Sequence, residues 1–153
     1  MDKKSSFTFY VAGPLKFEST RTYLDKIEEV LLRNGFSTWS PYKDAGILSN
    51  EDLKNPEKIK AVLEKDITAF KDCDGAIFFL DGYHVGTIFE LGYAYYLTKN
   101  AKKDFTLIGI YTTVRGVENL DSMIKFCFED IGSIVTSLSE LEKLLIKIKL
   151  GEV

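Results

Sequence analysis

The chain has 153 residues, 45% hydrophobic and 28% charged, with 20 basic against 23 acidic side chains and a net charge of −3. That length reads as a single domain over residues 1–153, large enough to bury a real core. The charge balance argues against binding a nucleic-acid polymer, and no apolar run approaches the ~20 residues that a membrane crossing needs.

Cys73 and Cys127 lie far apart without metal-ligand spacing, and they read as reduced packing residues. The opening MDKKSSF has basic residues but no apolar stretch behind them, so no leader is read and a cytoplasmic location is expected.

Two hydrophobic periods then alternate along the chain. FTFYVAG, Phe7 to Gly13, reads as a buried strand ended by Gly13-Pro14. In STRTYLDKIEEVLLRNG, residues Tyr23, Leu24, Ile27, Val30 and Leu31 share one helical face, and Gly35 terminates the helix. FSTWS is a short second strand stopped by Pro41. The polar loop PYKDAGILSN follows, with Ser49 and Asn50 as candidate caps of a helix spanning roughly Glu51 to Phe70. CDGAIFFL is the third strand, about Thr87 to Thr98 the next helix, and FTLIGIY the fourth strand. Val117 to Glu129 reads as helical, SIVTSL as a short fifth strand, and SELEKLLIKIKL as a closing helix with a Ser139–Glu142 capping box.

Strands alternating with helices predict an α/β fold. Parallel strands need helical crossovers, so five of them imply a doubly wound, flavodoxin/Rossmann-like parallel sheet, with helices on both faces and strand order 2-1-3-4-5. Ligands of such sheets bind beyond the carboxyl ends of the strands. That rule puts AGPLKFES and DGYHVGT on one rim.

Within DGYHVGTIFELGYAYY, Thr87-Ile88-Phe89-Glu90 is itself a capping box, with Thr at the cap and Glu at the third helical position. Against that structural account, Gly86, Gly92 and Ala94 leave room for something bulky beside this helix start. A carboxylate in a first helical turn faces the positive end of the helix dipole, which favours its ionised form. Such an anion at the mouth of an apolar cleft can attack an electron-poor carbon. On local grammar alone, both accounts of Glu90 stand.

FYVAGPL at the first strand, SPY after the second, Asp66, and DGAIFFLDGYHVGTIFELGYA together resemble the nucleoside 2-deoxyribosyltransferase family, which includes related nucleoside 5'-monophosphate N-glycosidases. The resemblance covers roughly residues 7 to 125. It implies the same five-stranded sheet in a homodimer or larger homo-oligomer, a nucleoside or nucleotide substrate and a nucleobase acceptor. It calls for no metal and no cofactor.

By that resemblance Glu90 attacks the anomeric carbon and forms a covalent glycosyl ester. A second base, or water, then attacks from the other face, the double displacement of retaining glycosidases. Asp66 matches an aspartate that contacts the base and is the candidate proton donor to it. That role needs a pKa raised by burial or by the charge of Glu90. The plain reading of Asp66 is a solvated charge in EKDITAFKD. Tyr10 matches a tyrosine that orients the catalytic Glu, although a strand tyrosine is as often core. Gly13 and Pro14 shape the first substrate loop, and Gly86 and Thr87 build the turn that admits the sugar. Tyr42, Tyr83 and Tyr93 either offer faces for base stacking or simply pack.

The main departure is His84, where the transferases usually carry Asp and the monophosphate glycosidases often Ser, near the 5' group. Histidine can donate a hydrogen bond to a hydroxyl, or carry charge toward a phosphate below its ordinary pKa of about 6.5. Lys16 and Arg21 are further cations for an anionic ligand, or solvated charges at a helix start. Asn119 is the candidate for an Asn that reaches the substrate from a neighbouring subunit, and it can equally cap the helix that follows. Three functions follow: a transferase that moves 2-deoxyribosyl between nucleobases, a nucleoside 5'-monophosphate N-glycosidase, and a non-catalytic nucleotide-binding domain.

Overall fold

The computed structural model describes residues 6–102 and 104–153. The MDKKS segment on which the reading of the chain start rests lies outside the described residues. Five strands form one parallel sheet: β1 (Thr8–Ala12), β2 (Ser37–Trp39), β3 (Gly75–Phe79), β4 (Thr106–Ile110) and β5 (Gly132–Val135). Their order is β2-β1-β3-β4-β5. The helices that alternate with them are α1 (Glu18–Arg33), α2 (Pro56–Asp72), α3 (Val85–Asn100), α4 (Ser122–Ile131) and α5 (Leu138–Leu150). This is the doubly wound α/β arrangement, in the strand order expected from the sequence.

Alternation along β1 sends Phe9 and Val11 to one face of the sheet and Tyr10 and Ala12 to the other. The first face buries Leu24, Ile27 and Leu31 of α1 and Leu141 and Leu145 of α5 against Ile77 and Ile108. The second buries Phe70 of α2, Leu91 and Ala94 of α3 and Phe128 of α4 against Phe78. Each such large side chain contributes about 1.5–3 kcal/mol on burial. Covering both faces is why β1, β3 and β4, beyond the threonine that opens β1 and β4, are buried on both sides rather than alternating with exposed polar residues.

Several boundaries differ from the sequence reading, each for a local reason. α2 begins at Pro56, not near Glu51, because Asn55 is the cap: its side chain accepts from the backbone N–H of Glu57 and Lys58. The residue before a proline is held extended, which sets the start there. Ser49 instead closes a small turn with Asp52 that leads into a short 3₁₀ helix, Asp52–Lys54. Pro41–Ala45, expected as loop, is a single π-helical turn ended at Gly46, whose φ is 94°. The Val117–Glu129 helix is two pieces, a 3₁₀ turn at Val117–Asn119 and then α4, capped by Asp121 rather than Asn119. α5 is capped two residues earlier than expected, by Ser137, and Glu140 folds back onto Thr136.

Among the described residues no helix is long and apolar enough to cross a membrane. None of their His, Cys, Asp and Glu side chains are grouped in a way that could hold a metal ion.

Candidate active site

The carboxyl ends of β1, β2 and β3 open onto a cleft of about 230 Å³. Gly13 and Leu15 after β1 line one side, Pro41 and Gly46 to Leu48 after β2 another, and His84, Gly86, Thr87 and Glu90 of the α3 start a third. Asp66 and Val62 of α2 complete it. Gly13 must be glycine: a Cβ there would lie 2.6 Å from Leu24 Cδ2 and 3.1 Å from Phe79 Cβ, so the loop lies directly on the core. Pro14, buried just behind it, does not face the cleft but fixes the turn.

Glu90 does not cap its helix. The cap position belongs to His84, whose carbonyl accepts from the Ile88 N–H, and α3 already runs from Val85. Glu90 therefore sits in the second turn, too far along for the capping box and past the strongest part of the dipole. Its Oε1 accepts a 2.7 Å hydrogen bond from the Tyr10 hydroxyl, bridging from β1 to α3 across 80 residues of sequence. Thr87, expected as the cap, is buried with its hydroxyl unpartnered on the cleft wall.

The electrostatics follow from burial. Removal from water pushes the Glu90 carboxyl up to about 7; the Tyr10 hydrogen bond pulls against that and the Asp66 charge adds to it. The dipole argument, which predicts a readily ionised carboxylate, is overturned by desolvation. Burial alone pushes Asp66 up to about 6, and its Oδ1 is buried without a hydrogen-bond partner. Asp66 is thus no solvated charge. Tyr10 is fully buried, and burial followed by the neighbouring Glu90 holds its hydroxyl far above the ordinary range, so it stays a proton donor.

Asp66, Gly86 and Glu90 also border a second recess of about 150 Å³, apolar and aromatic, formed by Leu63, Ile67, Phe70, Phe89 and Tyr93. The two raised carboxyls therefore border both chambers.

Residues 9–136 match the family model described as nucleoside 2-deoxyribosyltransferase. The chain belongs to the nucleoside 2-deoxyribosyltransferase family. Among solved structures it is similar to a conserved protein from Enterococcus faecalis V583, at 21% identity over 93% of this chain and 98% of that one, with a TM-score of 0.71. It is also similar to a 2-deoxyribosyltransferase from Bacillus psychrosaccharolyticus, at 24% identity over 88% of this chain and 90% of that one, with a TM-score of 0.64. At these identities the likeness is one of fold. No curated protein sequence matches the chain.

Against the deoxyribosyltransferase pattern, the structure brings Glu90, Asp66, Tyr10, Gly13, His84, Gly86 and Thr87 together. His84 is exposed, with its ring against Gly86: a Cβ on that glycine would lie 3.3 Å from His84 Cε1. Asn119 stays outside this cleft; its amide donates to the Arg115 carbonyl, and its own carbonyl faces the Tyr83 hydroxyl at 3.4 Å. Lys16 and Arg21 do not line the cleft either. Arg21 donates to the Leu15 carbonyl at 2.6 Å and lies over the Tyr42 ring, so it braces the first loop. Of the three tyrosines considered for stacking, Tyr93 borders the aromatic recess. Tyr83, at a φ of 46°, instead accepts from the Asp121 N–H.

Sequence reasoning missed Asp81, whose carboxylate accepts from both the backbone N–H and the hydroxyl of Thr112. It pins the end of β3 to the segment after β4, under the loop that carries His84. An Asp at a strand end is a common turn residue, and only its distant partner reveals the brace.

Proposed function

We propose that this protein cleaves the N-glycosidic bond of a deoxynucleoside and transfers the 2-deoxyribosyl group to another nucleobase through a covalent ester on Glu90. The observation that carries this reading is the Tyr10–Glu90 hydrogen bond at 2.7 Å, with Asp66 bordering the same two chambers. The Tyr10 hydroxyl donates to Glu90 Oε1 and so favours the carboxylate form.

In the first half, a Glu90 oxygen bonds to C1' as the C1'–N bond breaks, and the Asp66 proton passes to the departing base nitrogen. In the second half, the incoming base nitrogen attacks C1', the ester bond breaks and restores the carboxylate, and the base N–H proton returns to Asp66. The sugar configuration is retained by two inversions. The productive state carries charge on Glu90 and a proton on Asp66. With values near 7 and 6, the single proton held around neutrality rests mainly on Glu90, so the productive form is the less populated tautomer, reached by moving that proton to Asp66 while Tyr10 donates to the Glu90 carboxylate.

The cleft also bears on the substrate. Its lining contains two carboxyls and one histidine, but no lysine or arginine. A 5'-phosphate dianion there would meet the Asp66 and Glu90 carboxyls with no lysine or arginine in the lining to offset it, which favours an unphosphorylated nucleoside over a nucleotide. His84 then donates to the 5'-hydroxyl. Asn119, exposed and outside its own cleft, stays our candidate for the residue that serves the cleft of a neighbouring subunit in a homodimer or larger assembly.

Incubation with a deoxynucleoside, with and without a second free base, tests the reading. Base exchange is expected. Free sugar in both cases would make the protein a hydrolase, turnover only of 5'-monophosphates would make it the nucleotide glycosidase, and binding without turnover would leave a sensor domain.

A further inference from the structure

Tyr10 is not merely one more aromatic of the core. Register pairs it with Trp39 on β2, so the two side chains lie side by side on the same face of the sheet. The rings stack with centroids 5.0 Å apart and planes inclined by 24°. Phe70 of α2 stacks on the same Tyr10 ring at 3.8 Å and 18°. Phe70 is in turn held by Phe78 of β3 and edge-on by Tyr93 of α3. Two rings thus stack directly on one phenol, two more back Phe70, and the phenol's hydroxyl donates to Glu90.

A tyrosine hydroxyl sits at the far end of its side chain, so a small tilt of the ring becomes a large displacement of the oxygen. Hydrogen bonds weaken steeply once the donor leaves the acceptor's direction. Filling space beside β1 requires only bulk; holding the ring plane requires flat neighbours.

We propose that Trp39 and Phe70 are positioning residues, which grip the Tyr10 ring so that its hydroxyl stays aimed at the Glu90 carboxylate. Trp39, the only tryptophan of the chain, lines neither the cleft nor the recess: it borders a groove between β2 and α2 and stacks on Tyr10. The groups that face this contact are Asp66 from α2, Glu90 and His84 at the α3 start, and Cys73 beside Tyr10. The chemical consequence drawn from the grip rests on Glu90 being the reacting carboxylate, but the grip itself does not.

The test therefore reads the carboxylate directly. Wild type, Trp39→Leu, Trp39→Phe, Phe70→Leu, Tyr10→Phe and the Trp39→Leu/Tyr10→Phe pair are titrated by NMR with carboxyl-labelled glutamate, without substrate. Losing the Tyr10 donor removes the one contact that pulls the Glu90 value down. Tyr10→Phe is expected to move the Glu90 midpoint up by about one pH unit. Trp39→Leu and Phe70→Leu are expected to reproduce most of that rise, Trp39→Phe to recover most of the wild-type midpoint, and the double variant to match Tyr10→Phe alone.

A wild-type midpoint in Trp39→Leu and Phe70→Leu, with Tyr10→Phe shifted, would overturn the grip. So would additive shifts in the pair. If Trp39→Leu does not fold, Phe70→Leu and Trp39→Phe decide it by the same readout. In the exchange assay Trp39→Leu is expected to lower kcat about tenfold with KM little changed. Absence of exchange in wild type would defeat the proposed function while leaving the titration result intact.

Discussion

The two faces of the sheet are built from the same strands to different ends. The face toward α1 and α5 is mostly aliphatic, with Val11, Leu24, Ile27, Ile77, Ile108 and Leu141 buried together. Its rim is closed by the Arg33–Glu142 pair, two hydrogen bonds of 2.8 and 3.0 Å from one guanidinium to one carboxylate. The face toward α2 and α3 is aromatic around Tyr10, Phe70, Phe78 and Trp39. It carries two carboxyls that have been taken out of water and an unpartnered threonine hydroxyl. Successive residues of β1 serve the two tasks in turn, Phe9 and Val11 stability, Tyr10 the site. Buried polar groups are costly unless paired: buried Glu28 of α1 meets the Thr38 hydroxyl and the Lys43 ammonium, whereas on the site face Asp66 Oδ1 and the Thr87 hydroxyl have no hydrogen-bond partner.

The sharpest way to break this division is to exchange what each face loses. Glu90→Gln keeps an acceptor for the Tyr10 hydroxyl and removes the nucleophile. It is expected to lower kcat by about 10⁴-fold or more, while the melting temperature at pH 8 stays at or above that of wild type. Exchange kinetics and a thermal melt on the same preparation check both halves. Substantial exchange by this variant would rule out an ester at Glu90. On the other face, Ile27→Ala empties a fully buried site in α1. A loss of about 2–5 kcal/mol in denaturant unfolding is expected, with kcat and KM of the folded protein unchanged.

pH should separate the faces by sign. The Glu90 and Asp66 carboxyls hold their protons more tightly folded than unfolded, so their stabilisation is complete below about pH 4. It is lost as pH rises through 6 and then 7. For Glu90 the full effect is on the order of 3 kcal/mol. Glu142, held below the ordinary carboxylate value by Arg33, acts oppositely: its contribution is present above that value and lost on acidification. Unfolding free energies measured from pH 4 to 8 should therefore fall with pH in wild type and flatten in Glu90→Gln/Asp66→Asn. A slope unchanged in that double variant would mean that neither carboxyl is buried in its protonated form.

The sheet was legible because its evidence is redundant. Apolar runs, Gly-Pro and Gly stops and alternating periods all point to the same strands, and strand order followed from the fold class. The cleft was legible only as a set of rim loops plus a resemblance. Capping grammar gave the wrong role to Thr87 and the wrong turn to Glu90, because a Thr-x-x-Glu pattern is local while Glu90's partner, Tyr10, is 80 residues away. The direction of the Glu90 shift was misjudged for the same reason: a dipole is visible in sequence, whereas burial depends on what packs over the site. Trp39 carried no signal until register set it beside Tyr10.

The smallest effect tests whether the site face tolerates loosening at its far end. Asn55 caps α2, accepting from the N–H groups of Glu57 and Lys58, three turns before Asp66. Asn55→Ala should cost about 1 kcal/mol, since two N–H groups at the helix start lose their acceptor and turn to water. Pro56 still fixes the first helical φ, so fraying should stop within the first turn. Asp66 and Phe70 are anchored by the packing of Phe70 on Tyr10 and Phe78, not by the helix start. Unfolding free energy should therefore drop while exchange rate and its pH profile hold. A shifted pH profile in Asn55→Ala would show that the position of Asp66 is set along the helix from its cap, and that the aromatic stack does not by itself fix the site.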